Sequence, residues 1–243
     1  MTDLAPAAAP AAALPPAARA IRWDRLCLAT GLAVLGGLWL GPLVTMSRTG
    51  FSPHMLLHLG LIVIAAPLVA VPLAGRLPPP AGFRSALSWC LLASMFELVA
   101  VWGWHIPLLH DAAGRSDGLF VLEQASFLAG GLAIWTAAFA ARFHRTAGAA
   151  AIALFLTFSH MSMFGLVLTL APRLLYDPNI CRGAFGLDRL DDQHLGGILM
   201  AVGGGLPYLL GTGWACWRLL AGRERPLGQR LPSPRQDLPD AHG

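Results

Sequence analysis

AGAAAIALFLTFSHMSMFGLVLTLA, residues 147–171, decides the fold. It carries no Asp, Glu, Lys or Arg, and it is longer than the roughly 20 apolar residues a helix needs to cross hydrocarbon. Yet a histidine, His160, sits in its middle, flanked by Met161 and Met163. The rest of the 243-residue chain shares this character: 56% of it is hydrophobic and only 12% charged, with a mean hydropathy of +0.60. A soluble domain carries roughly 25% charge. The expected class is therefore all-α, a polytopic membrane helical bundle.

Six stretches match that run in length and apolarity. They are Leu26–Val44, Pro53–Leu73, Arg84–Trp104, Gly118–Ala141, Ala147–Ala171 and Gln193–Leu219. Residues 23–221 thus form one transmembrane helical domain of six helices, with short links rich in Gly, Pro and Arg. Residues 1–22, Ala/Pro-rich at their start, and residues 222–243 read as disordered tails, because proline breaks helix in both. The basic residues are all arginine, and they are unevenly placed: twelve fall at the termini and in the even links, five in the odd links. The positive-inside rule then puts both termini in the cytoplasm. Tryptophans near the span ends, such as Trp39, Trp102 and Trp104, fit interfacial positions. No basic cluster with interleaved aromatics suggests nucleic acid. Glycine pairs inside the spans, such as Gly130-Gly131 and Gly196-Gly197, read as points of close helix packing. The four cysteines form no CxxC pair, and Cys181 stands alone in a link.

With this topology the metal-capable residues gather on one side. His54 and His58, four apart, share a helix face at the outer end of the second span. His105 and His110 lie at the outer mouth, Glu97 and Glu123 about two turns below it, and Asp192 and His194 at the start of the last span. His160 and Met163, three apart, would be the deep end of a path. An ionisable group in hydrocarbon costs at least about 2.5–3.5 kcal/mol, so several on one side imply a use. Imidazole with thioether suits copper, as Cu(I). The candidate ligands are His54, His58, His105, His110, His160 and Met163. Glu97, Glu123, Asp192 and His194 would orient them. Plainer readings stand beside these. Met161 and Met163 read as apolar packing. Asp191 or Asp192 reads as the N-cap of the last helix. Glu97 and Glu123 read as hydrogen-bond glue between helices. His54 and His58 read as interfacial hydrogen-bonding groups. No P-loop, dinucleotide fingerprint, nucleophile elbow or HExxH motif occurs, so an enzyme is not expected.

The segments HMLLH (54–58), WHIPLLHDA (104–112), EQASFLAGG (123–131), SHMSMFG with APRLLY (159–176) and DDQHLGGILM (191–200) resemble, in order, the multi-span CtaG-type cytochrome c oxidase assembly factors. His54, His58, His105, Glu123, His160, Asp192 and Gln193 fall on motif positions. Gln124 and His194 depart from the residues common there. The resemblance implies a bacterial inner-membrane protein that helps assemble a haem–copper oxidase by handling copper. Its partners would be an oxidase subunit and other copper chaperones. A metal-free scaffold, a copper importer and a b-type haem protein are the alternative readings.

Overall fold

The computed structural model describes residues 16–221. The tail expected over 222–243, and residues 1–15 of the one expected over 1–22, lie outside the described residues. The remainder of that first tail is helical: α1 runs Pro16–Leu40. Proline opens a helix readily, since the first N–H lacks an intrahelical partner in any case, and alanines follow it. α1 also stops before the expected end of the first span. Gly41 and Pro42 interrupt the ladder, and a short α2, Leu43–Ser47, follows.

The other helices are α3 (Phe51–Arg76), α4 (Phe83–Trp104), α5 (Pro107–Arg115), α6 (Asp117–Ala140), α7 (His144–Thr169) and α8 (Arg189–Ala221). No strand occurs among the described residues. Five helices, α3, α4, α6, α7 and α8, are long and apolar enough to cross a membrane. Their bounds agree with the last five expected spans to within a turn or so. α1 is not among the five, although it has 25 residues. Arg19, Arg22, Asp24 and Arg25 crowd its first half and leave a shorter apolar stretch.

α3 and α8 share a construction. Each is continuous but contains a π-helical segment, Gly60–Ala65 in α3 and Leu199–Gly204 in α8. Each segment is followed by a proline, Pro67 or Pro207. Proline cannot donate to the carbonyl four residues back, which here belongs to Val63 or Gly203, so the ladder slips there. In each segment a carbonyl bonds to a neighbouring helix instead. Trp135 Nε1 on α6 donates to Ile62 O at 3.0 Å, and Ser162 Oγ on α7 donates to Ala201 O at 3.2 Å. Side chains from adjacent helices thus satisfy backbone groups that hydrocarbon could not.

Glycine sets the closest crossing. A Cβ on Gly165 of α7 would lie 2.6 Å from Gly197 O and 2.7 Å from Ala201 Cα of α8. A Cβ on Gly197 would reciprocally fall 2.7 Å from Gly165 O. These two backbones touch, as small residues allow. α7 and α8 are thereby locked together toward the bundle end where α3, α6 and α8 begin and α4 and α7 finish. The buried histidines sit mostly at that end.

Candidate metal centre

α3 supplies the first pair. His54 and His58 are both buried on its inward face. The start of α3 is capped across the bundle by Asp192 of α8. Its carboxylate accepts from Phe51 N at 2.7 Å, from Ser52 N at 3.2 Å and from Ser52 Oγ. Asp192 is thus the anchor of α3. The cap of α8 is Asp188, which accepts from Leu190 N and Asp191 N, each at 2.9 Å. An acidic cap at a helix start also favours the dipole. Gly196, one turn further along α8, leaves room for Phe51: a Cβ there would sit 2.8 Å from its Cε1. Phe51 in turn walls the site.

His105 ends α4, and His110 follows on α5. His105 Nδ1 donates to Val101 O at 2.7 Å. A carbonyl only accepts, so the proton is on Nδ1 and the Nε2 lone pair is presented to the interior. This is the arrangement that metal-binding imidazoles commonly have. Burial lowers the pKa of His105 to about 4, partly offset by that backbone hydrogen bond. Burial, with His105 nearby, lowers that of His110 to about 3. Both rings are therefore neutral at physiological pH, as ligands must be.

α6 contributes Glu123, buried about 9 Å along the helix from Asp117. Gln124 Nε2 donates to Glu123 Oε2 at 3.1 Å, which leaves Oε1 without a partner. The side chains converge. The ring centre of His54 lies 4.8 Å from that of His110 and 5.4 Å from that of His105. That of His58 lies 5.5 Å from His105. His54 Nε2 lies 3.9 Å from Glu123 Oε1, beyond hydrogen-bond reach. One ligand atom from each of His54, His110 and Glu123 falls within 4.8 Å of the other two. Phe51, Phe127, Phe164 and Tyr176 enclose the group.

The link between α7 and α8 covers the mouth. Tyr176 stacks on Phe51 at 4.7 Å and lies 4.4 Å from the His110 ring, and its hydroxyl donates to His105 O at 3.1 Å. Gln193 holds the base of this link, accepting from Leu175 N at 2.8 Å and donating to Arg173 O at 3.3 Å. Cys181 is buried under it, with Sγ 3.6 Å from His110 Nε2. Burial first, then the carboxylates of Asp111, Asp192 and Asp177, push its thiol up to about 12. An isolated cysteine in a link gives no sequence signal for such a position. Only the folded link brings it in.

Four expected members stand apart. His160 is buried with neither ring nitrogen hydrogen-bonded, one turn beyond the Thr157 Oγ1–Ser94 Oγ contact of 2.9 Å between α7 and α4. Glu97 is one turn beyond Ser94 and accepts from Tyr208 of α8. These residues make a second, deeper polar level. Met163 is 53% exposed on the outer wall of the bundle, whereas Met161 is fully buried. Two residues apart on a helix means opposite faces, and the interior takes Met161. His194 Nε2 bonds to Ala171 O at 2.9 Å and braces the link.

Polar satisfaction separates this centre from a structural core. Among the described residues, His54 Nε2, both nitrogens of His58, His105 Nε2, His110 Nδ1, Glu123 Oε1 and Gln124 Oε1 are buried without a hydrogen-bond partner, and so are both nitrogens of His160 and Glu97 Oε2. Each such group costs about 1–3 kcal/mol. Neutral imidazole lone pairs beside a free carboxylate oxygen fit a late first-row metal ion.

The sequence family described as cytochrome c oxidase caa3 assembly factor (Caa3_CtaG) matches residues 10–221. The chain has no match among curated proteins and none among solved structures.

Proposed function

Because the chain belongs to the cytochrome c oxidase caa3 assembly factors, we propose that it serves oxidase assembly by carrying copper. The cargo is held as Cu(I) by the cluster of His54, His58, His105, His110 and Glu123, and it is passed to an oxidase subunit. The role is one of binding and transfer, without turnover of its own. The observation that carries this reading is the convergence of unpartnered, buried donor atoms from α3, α5 and α6. The arginine asymmetry supports a six-span arrangement in a bacterial inner membrane. In it α1 is the sixth crossing, both termini are cytoplasmic and the cluster faces the periplasm. Other copper chaperones would load the site from that side.

Anaerobic titration of the purified protein with Cu(I) against a chromophoric chelator tests the reading. His54→Ala and His110→Ala are expected to lose the high-affinity copper. His160→Ala, which alters the deeper level, is expected to retain it. In cells, His54→Ala should fail to restore oxidase activity to a strain lacking the protein. Full complementation by His54→Ala and His110→Ala, with unchanged copper stoichiometry, would instead support a metal-free scaffold.

A further inference from the structure

The other three cysteines, Cys27, Cys90 and Cys216, lie in helices, whereas Cys181 lies in the link over the cluster. It is held on both sides. Its own N–H donates to Asp177 O at 2.9 Å, and the next residue, Arg182, donates to Thr49 O at 2.9 Å. Asp177 is itself tied to Arg115 and, through its N–H, to Asp111 Oδ1 at 3.1 Å. The sulfur is thus fixed toward His110 by the backbone of the link and by contacts to α5 and the α2–α3 turn.

A sulfur and a nitrogen bound to one tetrahedral ion, at about 2.3 Å and about 2.0–2.1 Å, lie about 3.6 Å apart. That is the distance between Cys181 Sγ and His110 Nε2. His110 is itself a buried donor of the cluster, one of three residues whose ligand atoms lie within 4.8 Å of one another. Without sulfur, the set of imidazoles and a carboxylate would accept Zn(II) or Cu(II) as readily as Cu(I). A thiolate adds a soft donor, which Cu(I) takes readily.

We propose that Cys181 is a copper ligand, pairing with His110 at the mouth of the cluster. The proposal rests on the copper-carrying reading above. Binding replaces the S–H bond by an S–Cu bond. The thiol proton leaves to solvent, and copper remains Cu(I) throughout, so no oxidant or reductant is needed.

The test uses the full-length protein in detergent, loaded anaerobically with Cu(I) supplied as its acetonitrile complex. X-ray absorption at the copper edge is compared for wild type, Cys181→Ser and Cys181→Ala, and Zn(II) affinity is measured on the same samples. The wild type is expected to show a copper–sulfur shell that both variants lose. Cu(I) affinity should fall about tenfold or more, as for loss of a metal-supporting group, and Zn(II) affinity should fall with it, since zinc also takes thiolate. A second readout is alkylation of Cys181, which bound Cu(I) should suppress. A wild type that holds copper through nitrogen and oxygen alone overturns the inference but leaves the proposed function standing. So does a sulfur shell that persists in both variants. A wild type that takes up no copper overturns both.

Discussion

At the scale of single residues, exposure sets Met163 apart from the buried histidines. Met163 faces outward, so Met163→Leu should leave Cu(I) affinity unchanged in the chelator competition, unlike His54→Ala. The difference between Met161 and Met163 is not legible in sequence. Both flank a buried histidine, and only the packing of neighbouring helices decides which side is interior. The paired spacing of His54 and His58 is legible, because residues four apart share a face on any helix. The role of Asp192 is not, because its partners, Phe51 and Ser52, are far away in the chain. Asp192→Ala would strand buried N–H and hydroxyl groups at about 1–3 kcal/mol each. It should therefore lower Tm and also weaken copper binding, since α3 carries two of the histidines; Asp192→Asn should recover part of both. The lowered pKa values of His105 and His110, about 4 and about 3, have a further consequence. In the unfolded chain these rings take up protons near pH 6.5, while in the folded cluster, where they face His54, His58 and Glu123, they resist them. Folding stability supplied by the neutral rings is complete above that pH and declines as pH falls from about 6.5 toward 4. Thermal unfolding of the metal-free protein at pH 7.5 and pH 5 should show the lower Tm at pH 5, and a double His105→Phe, His110→Phe variant should reduce the difference.

At the scale of helices, hydropathy locates well the five helices long and apolar enough to cross a membrane, because so long an apolar run has few homes outside a bilayer. It does not reveal the π-helical segments in α3 and α8. Pro67 and Pro207 mark the places, but whether proline kinks, ends or merely shifts a helix depends on what takes up the freed carbonyls. Here Trp135 and Ser162 bond to other carbonyls of the two segments, Ile62 O and Ala201 O. Trp135→Phe keeps the aromatic packing against Tyr208, whose ring centre is 5.1 Å away, but removes the donor to Ile62 O. The expected cost is about 1–3 kcal/mol, read as a drop in Tm with copper stoichiometry intact. Gly165→Val should be worse. Its side chain would meet the backbone of Gly197 and Ala201, which cannot rotate away, and it would push α8, with the Asp192 anchor, off α3. Overpacking of this kind costs about 1–3 kcal/mol or more. The variant should show both a lower Tm and weaker Cu(I) binding, because the cap and the site share that helix crossing.

For the whole molecule, the parity of crossings decides which compartment the cluster serves. Five crossings put the chain ends on opposite faces of the membrane; six put them on the same face. The outcome turns on α1, whose first half carries Arg19, Arg22, Asp24 and Arg25 and whose second half, up to Leu40, packs beside α3: a Cβ on Gly31 would lie 2.8 Å from Val69 Cγ2, and one on Gly60 would lie 2.8 Å from Leu38. A helix packed along a crossing helix in this way is itself placed to cross, with its charged turns at the interface. The cluster end of the bundle has five arginines, Arg48, Arg115, Arg173, Arg182 and Arg189, of which Arg48 and Arg115 are paired with Asp117 and Asp177. The opposite end carries seven, Arg22, Arg25, Arg76, Arg84, Arg142, Arg145 and Arg218, with no ion pair to an acidic side chain among the described residues. That imbalance predicts a cytoplasmic opposite end and a periplasmic cluster. Reporter fusions at the N-terminus and after Ala221 should both report cytoplasm. A cysteine introduced at exposed Phe185 in the covering link should react in intact spheroplasts with a membrane-impermeant maleimide, while one introduced at Arg84 should react only after lysis. Opposite reports from the two ends would leave α1 lying along the membrane rather than through it. Labelling of Arg84→Cys from outside would turn the cluster toward the cytoplasm, where it could not receive copper from the periplasm.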